Sequence, residues 1–222
     1  MKKLITLLGT LAFTVSANAA IISHNGSAPG IDGGDIANLV ASTGNVNLWS
    51  DRPQQAQSFL TGGTAATLNA ITIQLGGQEG RKDYNVRLGT VSGGVFTPTF
   101  ADETSYTASV APDQFVTFQL DSPIALAANT LYAFDVGIVG SSTGWQSGIT
   151  TTRTSGNEYA DGARFQGSNA NNYDDANSLD GYNYNAQGND LIFHLDISVV
   201  PEPSVFALFG LGGLALILRR RR

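Results

Sequence analysis

Apolar and polar residues alternate with a period of two along most of this chain, and no other feature limits its fold as much. Ile71, Ile73 and Leu75 alternate with Thr72 and Gln74 before Gly76-Gly77, and Tyr84, Val86 and Leu88 repeat the period up to Gly89. Val116, Phe118 and Leu120 run to a stop predicted at Asp121-Ser-Pro123. Tyr132, Phe134, Val136 and Ile138 form a fourth run, and Leu191, Phe193, Leu195, Ile197 and Val199 a fifth. A period of two puts every apolar side chain of a strand on one face, so each strand is half-buried. Gly, Pro, Asn and Asp interrupt the runs where antiparallel strands need turns. The pattern predicts an all-β antiparallel two-sheet sandwich, jelly-roll-like, with an immunoglobulin-like sandwich as the alternative. Only Asp35 to Ala41 and Ile124 to Ala128 carry any helical signal in the body, a turn or two each.

Both ends of the chain depart from this pattern. Met1-Lys2-Lys3, the apolar stretch Leu4 to Val15 and the small-x-small site Ala17-Asn18-Ala19 have the form of a secretory signal, with cleavage expected after Ala19. At the other end Pro201-Glu202-Pro203 precedes the apolar run Val205 to Leu218 and the cluster Arg219, Arg220, Arg221, Arg222. Two prolines two residues apart exclude regular helix and keep the segment open to an enzyme. Terminal arginines resist translocation and hold their end on the cytoplasmic side. Fourteen apolar residues reach only ~21 Å as a helix, short of a ~30 Å hydrocarbon core. That is the pattern of a membrane stop held weakly enough to be recognised and removed.

This three-part tail resembles the PEP-CTERM sorting signal of Gram-negative bacteria that make exopolysaccharide. The resemblance implies processing by an integral-membrane exosortase, a transient stay in the inner membrane, and release to the cell surface or extracellular matrix. Export through the Sec machinery and signal peptidase is expected first. The domain plan is then a signal peptide over 1–19 as a helix, a sandwich over 20–198, and the sorting tail over 199–222 with a transmembrane helix. The stretch from Gln57 to Val139 also resembles exported sandwich domains joined to such tails, through Gln57-Ser-Phe-Leu-Thr61, the Leu68 to Leu75 strand and Leu126-Ala-Ala-Asn-Thr-Leu-Tyr132. That likeness concerns core and turn residues and implies no activity.

Charge narrows the range of partners. Residues 20–200 hold six basic and seventeen acidic residues, a net charge of −11 against −6 for the whole chain. Arg52, Arg81, Lys82, Arg87, Arg153 and Arg164 are scattered along the sequence, whereas phosphate backbones are held by clustered cations. Nucleic acid is therefore excluded as a partner. The chain has no cysteine, so it has no disulfide, thiol nucleophile or thiolate metal site.

Residues 140–190 are rich in Gly, Asn, Ser, Asp and Tyr and predict long surface loops. Within them Trp145, Tyr159, Tyr173, Tyr182 and Tyr184 are candidate glycan-binding residues. An aromatic face covers the apolar face of a sugar, and adjacent Asn, Asp and Gln bond its hydroxyls. Packing in the core is the alternative fate of Trp145 and Tyr159. Asp174, Asp175 and Asp180 are candidate calcium ligands, hard oxygen donors without the spacing of an EF-hand loop.

Signals for catalysis are weak. His24 and His194 lie far apart, and His194 reads as a surface residue beside Asp196. No G-x-S-x-G elbow occurs. Seventeen acids supply many carboxylate pairs and single out none. The reading is an exported, exosortase-sorted, non-catalytic surface or matrix protein that binds exopolysaccharide. The alternative is a secreted glycoside-type hydrolase with paired carboxylates on the same scaffold.

Overall fold

The computed structural model describes residues 21–40, 44–48, 54–77, 82–93, 95–106, 110–138, 149–153, 159–166, 182–183, 185–187 and 189–200. The signal helix expected over 1–19 and the helix of the tail lie outside the described residues. Within them the chain is all-β: β1 (Ile21–Asn25), β2 (Ile36–Asn38), β3 (Gly44–Leu48), β4 (Gln54–Leu60), β5 (Ala66–Gly77), β6 (Lys82–Ser92), β7 (Val95–Tyr106), β8 (Phe115–Leu126), β9 (Leu131–Ile138), β10 (Ile149–Arg153), β11 (Arg164–Gln166), β12 (Tyr182–Asn183), β13 (Asn185–Gln187) and β14 (Phe193–Val199).

These strands form two antiparallel sheets. The first has β2, β14, β5 and β8 as consecutive neighbours, with β1 beyond β8 and β10 and β3 along the far half of β5. The second runs β12-β7-β6-β9-β4-β11-β13. The predicted alternation buries one face of each sheet against the other. Tyr84 of β6 meets Phe118 of β8 edge-on with centroids 5.3 Å apart, and Phe134 of β9 meets Phe193 of β14 at 5.5 Å. Leu68, Ile71, Ile73, Val86, Leu88, Val116 and Leu195 complete the layer between them.

Neither expected helical turn forms. Ile36–Asn38 is a strand on the edge of β14, and Ile124–Leu126 continues β8. The strand also passes through Asp121-Ser-Pro123, where a stop was expected. Those three residues are exposed beside the register shift between Leu68 and Ala70 of β5. A bulge leaves the missing proline N–H without a ladder partner to lose.

One pole of the sandwich carries the 61–65 and 127–130 links and the turn between β6 and β7. Leu60 faces Leu131 there, Ser92 faces Val95, and Asn129 N–H donates to the Gly62 carbonyl at 2.8 Å. The β14 strand ends at the same pole, where Val199 pairs with Ala66 and Val200 N–H donates to the Ala65 carbonyl at 2.9 Å.

Candidate functional site

A cavity of about 430 Å³ opens at this pole, between β2, the ends of β4 and β14, and the 159–163 turn. Leu60, Ile197 and Val199 supply apolar walls, Thr64 a hydroxyl, Asp161 a carboxylate and Tyr159 a ring, while the Thr61 hydroxyl is engaged by the Ala127 and Thr130 backbone. Two glycines let the walls close. A Cβ at Gly34 would lie 2.4 Å from the Ile197 carbonyl oxygen, and one at Gly162 would lie 1.9 Å from that of Ser58.

Tyr159 is placed by a chain of buried hydrogen bonds. Gln57 Nε2 donates to Asp190 Oδ1 at 2.9 Å, and Asp190 Oδ2 accepts the Tyr159 N–H at 2.9 Å. Gln57 Oε1 also accepts the Leu191 N–H at 2.9 Å, which fastens β4 to the start of β14. The Tyr159 ring stands edge-on to Phe193 at 5.5 Å, so the residue is half-buried, part core and part cavity wall. Burial pushes its phenol up from the ordinary tyrosine range, and the Asp161 and Asp190 charges add to this. A hydrogen bond with the Leu60 backbone opposes them. The phenol is therefore neutral at physiological pH, able to donate to a ligand oxygen.

The opposite wall rests on Asp35 and His194. Burial pushes the Asp35 carboxyl up, but N–H bonds from Asp32 and Ile197 and the bond and charge of His194 prevail, holding it below the ordinary aspartate range. The Asp35 Oδ2 to His194 Nε2 distance is 3.0 Å, and Ile197 N–H donates to Oδ1 at 2.9 Å. His194 is thus not the surface residue that its polar phase suggested. It is 5% exposed, because β2 pairs along β14 and covers it.

A second buried charge lies on the other face of the second sheet. Arg87 of β6 and Asp135 of β9 are register partners, with Nε to Oδ1 at 2.9 Å, and both side chains are buried. The Arg87 guanidinium carbon lies 6.0 Å from the centre of the Phe96 ring. Arg164 is also buried, with Nη1 donating to Gln55 Oε1 at 2.6 Å and Nε to Asn189 Oδ1 at 2.8 Å. Among the described residues the basic side chains Arg87 and Arg164 therefore sit inside the body.

Of the candidate glycan residues, Tyr159 reaches the cavity. Tyr182 lies on β12 opposite Phe96, at the edge of the second sheet four strands from β4. Four strand spacings of ~4.8 Å separate β4 from β12, on the order of 19 Å. The structure does not bring these two tyrosines together. Trp145, Tyr173 and Tyr184 lie outside the described residues, as do Asp174, Asp175 and Asp180 with their calcium. Among the described residues no group of three or more His, Cys, Asp or Glu could hold a metal ion. Thr61, Thr64, Asp161 and the Asp35–His194 pair escaped the sequence reading. They come from four separate segments, and no local spacing links them.

The β14 ladder leads straight into the tail, whose last 24 residues, 199–222, match the PEP-CTERM protein-sorting motif. This chain carries a PEP-CTERM sorting tail. A PEP-CTERM tail marks an exported protein sorted by an exosortase. The motif residues Pro201, Glu202 and Pro203 and the expected membrane segment with Arg219 to Arg222 lie outside the described residues, among which no helix is long and apolar enough to cross a membrane. No curated protein matches the PEP-CTERM chain. Its fold is similar to that of the cysteine protease and lectin-like domains of Cwp84, a surface layer associated protein of Clostridium difficile. The TM-score is 0.52 at 11% identity, over 78% of this chain and 38% of that one. At that identity the likeness concerns the fold alone.

Proposed function

We propose that residues 20–198 are a non-catalytic jelly-roll module that is delivered to the cell surface or extracellular matrix and binds glycan there. The strand orders β2-β14-β5-β8 and β7-β6-β9-β4 support jelly-roll wiring, since apart from the β6–β7 hairpin these neighbours come from distant parts of the chain. Delivery follows from the two ends. Sec machinery and signal peptidase act at the leader, and the tail holds the chain in the inner membrane until an exosortase cuts it.

The observation that carries glycan binding is the cavity, where Tyr159 offers an aromatic edge and Thr64 and Asp161 offer hydroxyl and carboxylate partners around apolar walls. Sugars demand that mix of apolar contact and hydrogen bonding. Asp35 and His194 face each other and the backbone, which supports a holding role for them rather than proton transfer.

Asp161 is exposed at the rim, so Asp161→Ala retains the fold. It lowers retention on the organism's own exopolysaccharide by roughly fivefold, the loss of about one net hydrogen bond. The triple change of Tyr173, Tyr182 and Tyr184 to alanine tests the loop aromatics in the same assay, and a chelator arm tests calcium at Asp174, Asp175 and Asp180. Wild-type retention by both variants would remove the glycan reading.

A further inference from the structure

We infer that the pole from which the tail leaves is a membrane-resting surface, seated on lipid headgroups while the tail is inserted. This rests on the reading of the tail as a transient membrane anchor. Two observations carry it, and the first is where exposed apolar side chains fall. Among the described residues seven large hydrophobics are exposed, and five of them, Leu60, Val95, Leu131, Val199 and Val200, lie at this pole. Leu60 and Leu131 are register partners there, and Val95 closes the adjacent hairpin. Of the other two, Ile31 lies in the link before β2 and Val40 beyond the other end of β2. Single exposed hydrophobics are ordinary, but their gathering at one end of a body with net charge −11 marks an interaction surface. Gly62, Thr64, Ser92, Asn129 and Thr130 lie among them and are uncharged, and Asp161 adds a carboxylate at the cavity rim, a mix that suits a zwitterionic rather than an anionic headgroup layer.

The second observation is the length of the tether. Val200 is fixed by its bond to Ala65, and the apolar run begins at Val205. Five extended Cα steps span at most ~17 Å. With the arginines held at the cytoplasmic face, fourteen apolar residues, which would reach ~21 Å as a helix, would end ~9 Å short of the outer edge of a ~30 Å core. The tether must cover that shortfall, which leaves it roughly 8 Å, about the depth of one headgroup layer. The short membrane run thus draws the pole down onto the bilayer surface.

The absence of cysteine makes a labelling test clean. The chain retaining residues 199–222 would carry Leu131→Cys or Val95→Cys at this pole. Ser27→Cys, beyond the β1 end that pairs with Phe115 at the opposite pole, is the reference. Each is labelled with a small fluorophore and reconstituted into phosphatidylcholine vesicles bearing a nitroxide at headgroup depth. The expected result is flotation of all three with the vesicles, and loss of fluorescence at positions 131 and 95 but not at 27. Flotation with equal quenching at both poles would overturn the resting surface and leave the anchor intact. Failure to float would overturn both. Using two reporter positions keeps the test decisive if one label disturbs its hairpin.

Discussion

Arg87 and Asp135 face each other across two central strands, and their burial makes each dependent on the other. Removing one partner of such a pair costs about 3–5 kcal/mol, because the remaining charge stays away from water. Asp135→Ala is therefore expected to lower the denaturation midpoint sharply, with Arg87→Met plus Asp135→Leu recovering much of the loss. A double-mutant cycle in urea measures both. Asp35 gives a pH signature instead. Its carboxyl is held below its unfolded value, so the stability it contributes is present above about pH 4 and lost as pH falls through the lower, folded value. Asp35→Asn should flatten the acid limb of the stability profile. An unchanged acid limb would show that the His194 contact does not hold β2.

At the level of elements, β14 links three features of the molecule. It is paired on both sides by β2 and β5, it buries Phe193 against Phe134 and Tyr159, and it ends where the tail begins. Phe193→Ala is expected to cost about 3–5 kcal/mol, a typical loss for a buried aromatic ring. The 159–163 turn depends on close backbone approach, since Ala163 and Ser58 exchange hydrogen bonds at 2.9 Å and Gly162 lies over the Ser58 carbonyl. Gly162→Ala must push the turn off β4. It should weaken exopolysaccharide retention more than Asp161→Ala does while the far-ultraviolet spectrum stays that of a β protein.

For the whole molecule, sorting and folding meet within one residue. Just past the end of β14, Val200 N–H donates to the Ala65 carbonyl, and the Pro-Glu-Pro motif starts at position 201. Glu202→Ala should leave the body folded but membrane-retained in a host with a matching exosortase, and equal release of mutant and wild type in fractionation would remove that assignment. Deleting Arg219 to Arg222 should let the tail slip through the bilayer, because the charge barrier is gone. With no cysteine in the chain, the melting temperature should not respond to reductant.

The all-β class, the five main strands and their buried faces, and the sorting tail were legible in the sequence. Alternation and contiguous motifs are local properties, readable from a few neighbouring residues. The site was not local. Asp35 lies in a stretch with weak helical signal, His194 sits on the polar phase of its strand, and Tyr159 sits in a loop-like run. Only the pairing of β2 along β14 buries the histidine against the aspartate, and only the Gln57–Asp190 link turns Tyr159 toward Phe193 and the cavity. The gathering of exposed apolar residues at one pole has the same origin. Leu60, Val95, Leu131 and Val199 are far apart along the chain, and antiparallel strand reversal brings them to one end. Period and motif set what each segment is, and the order in which the sheets assemble sets which segments meet.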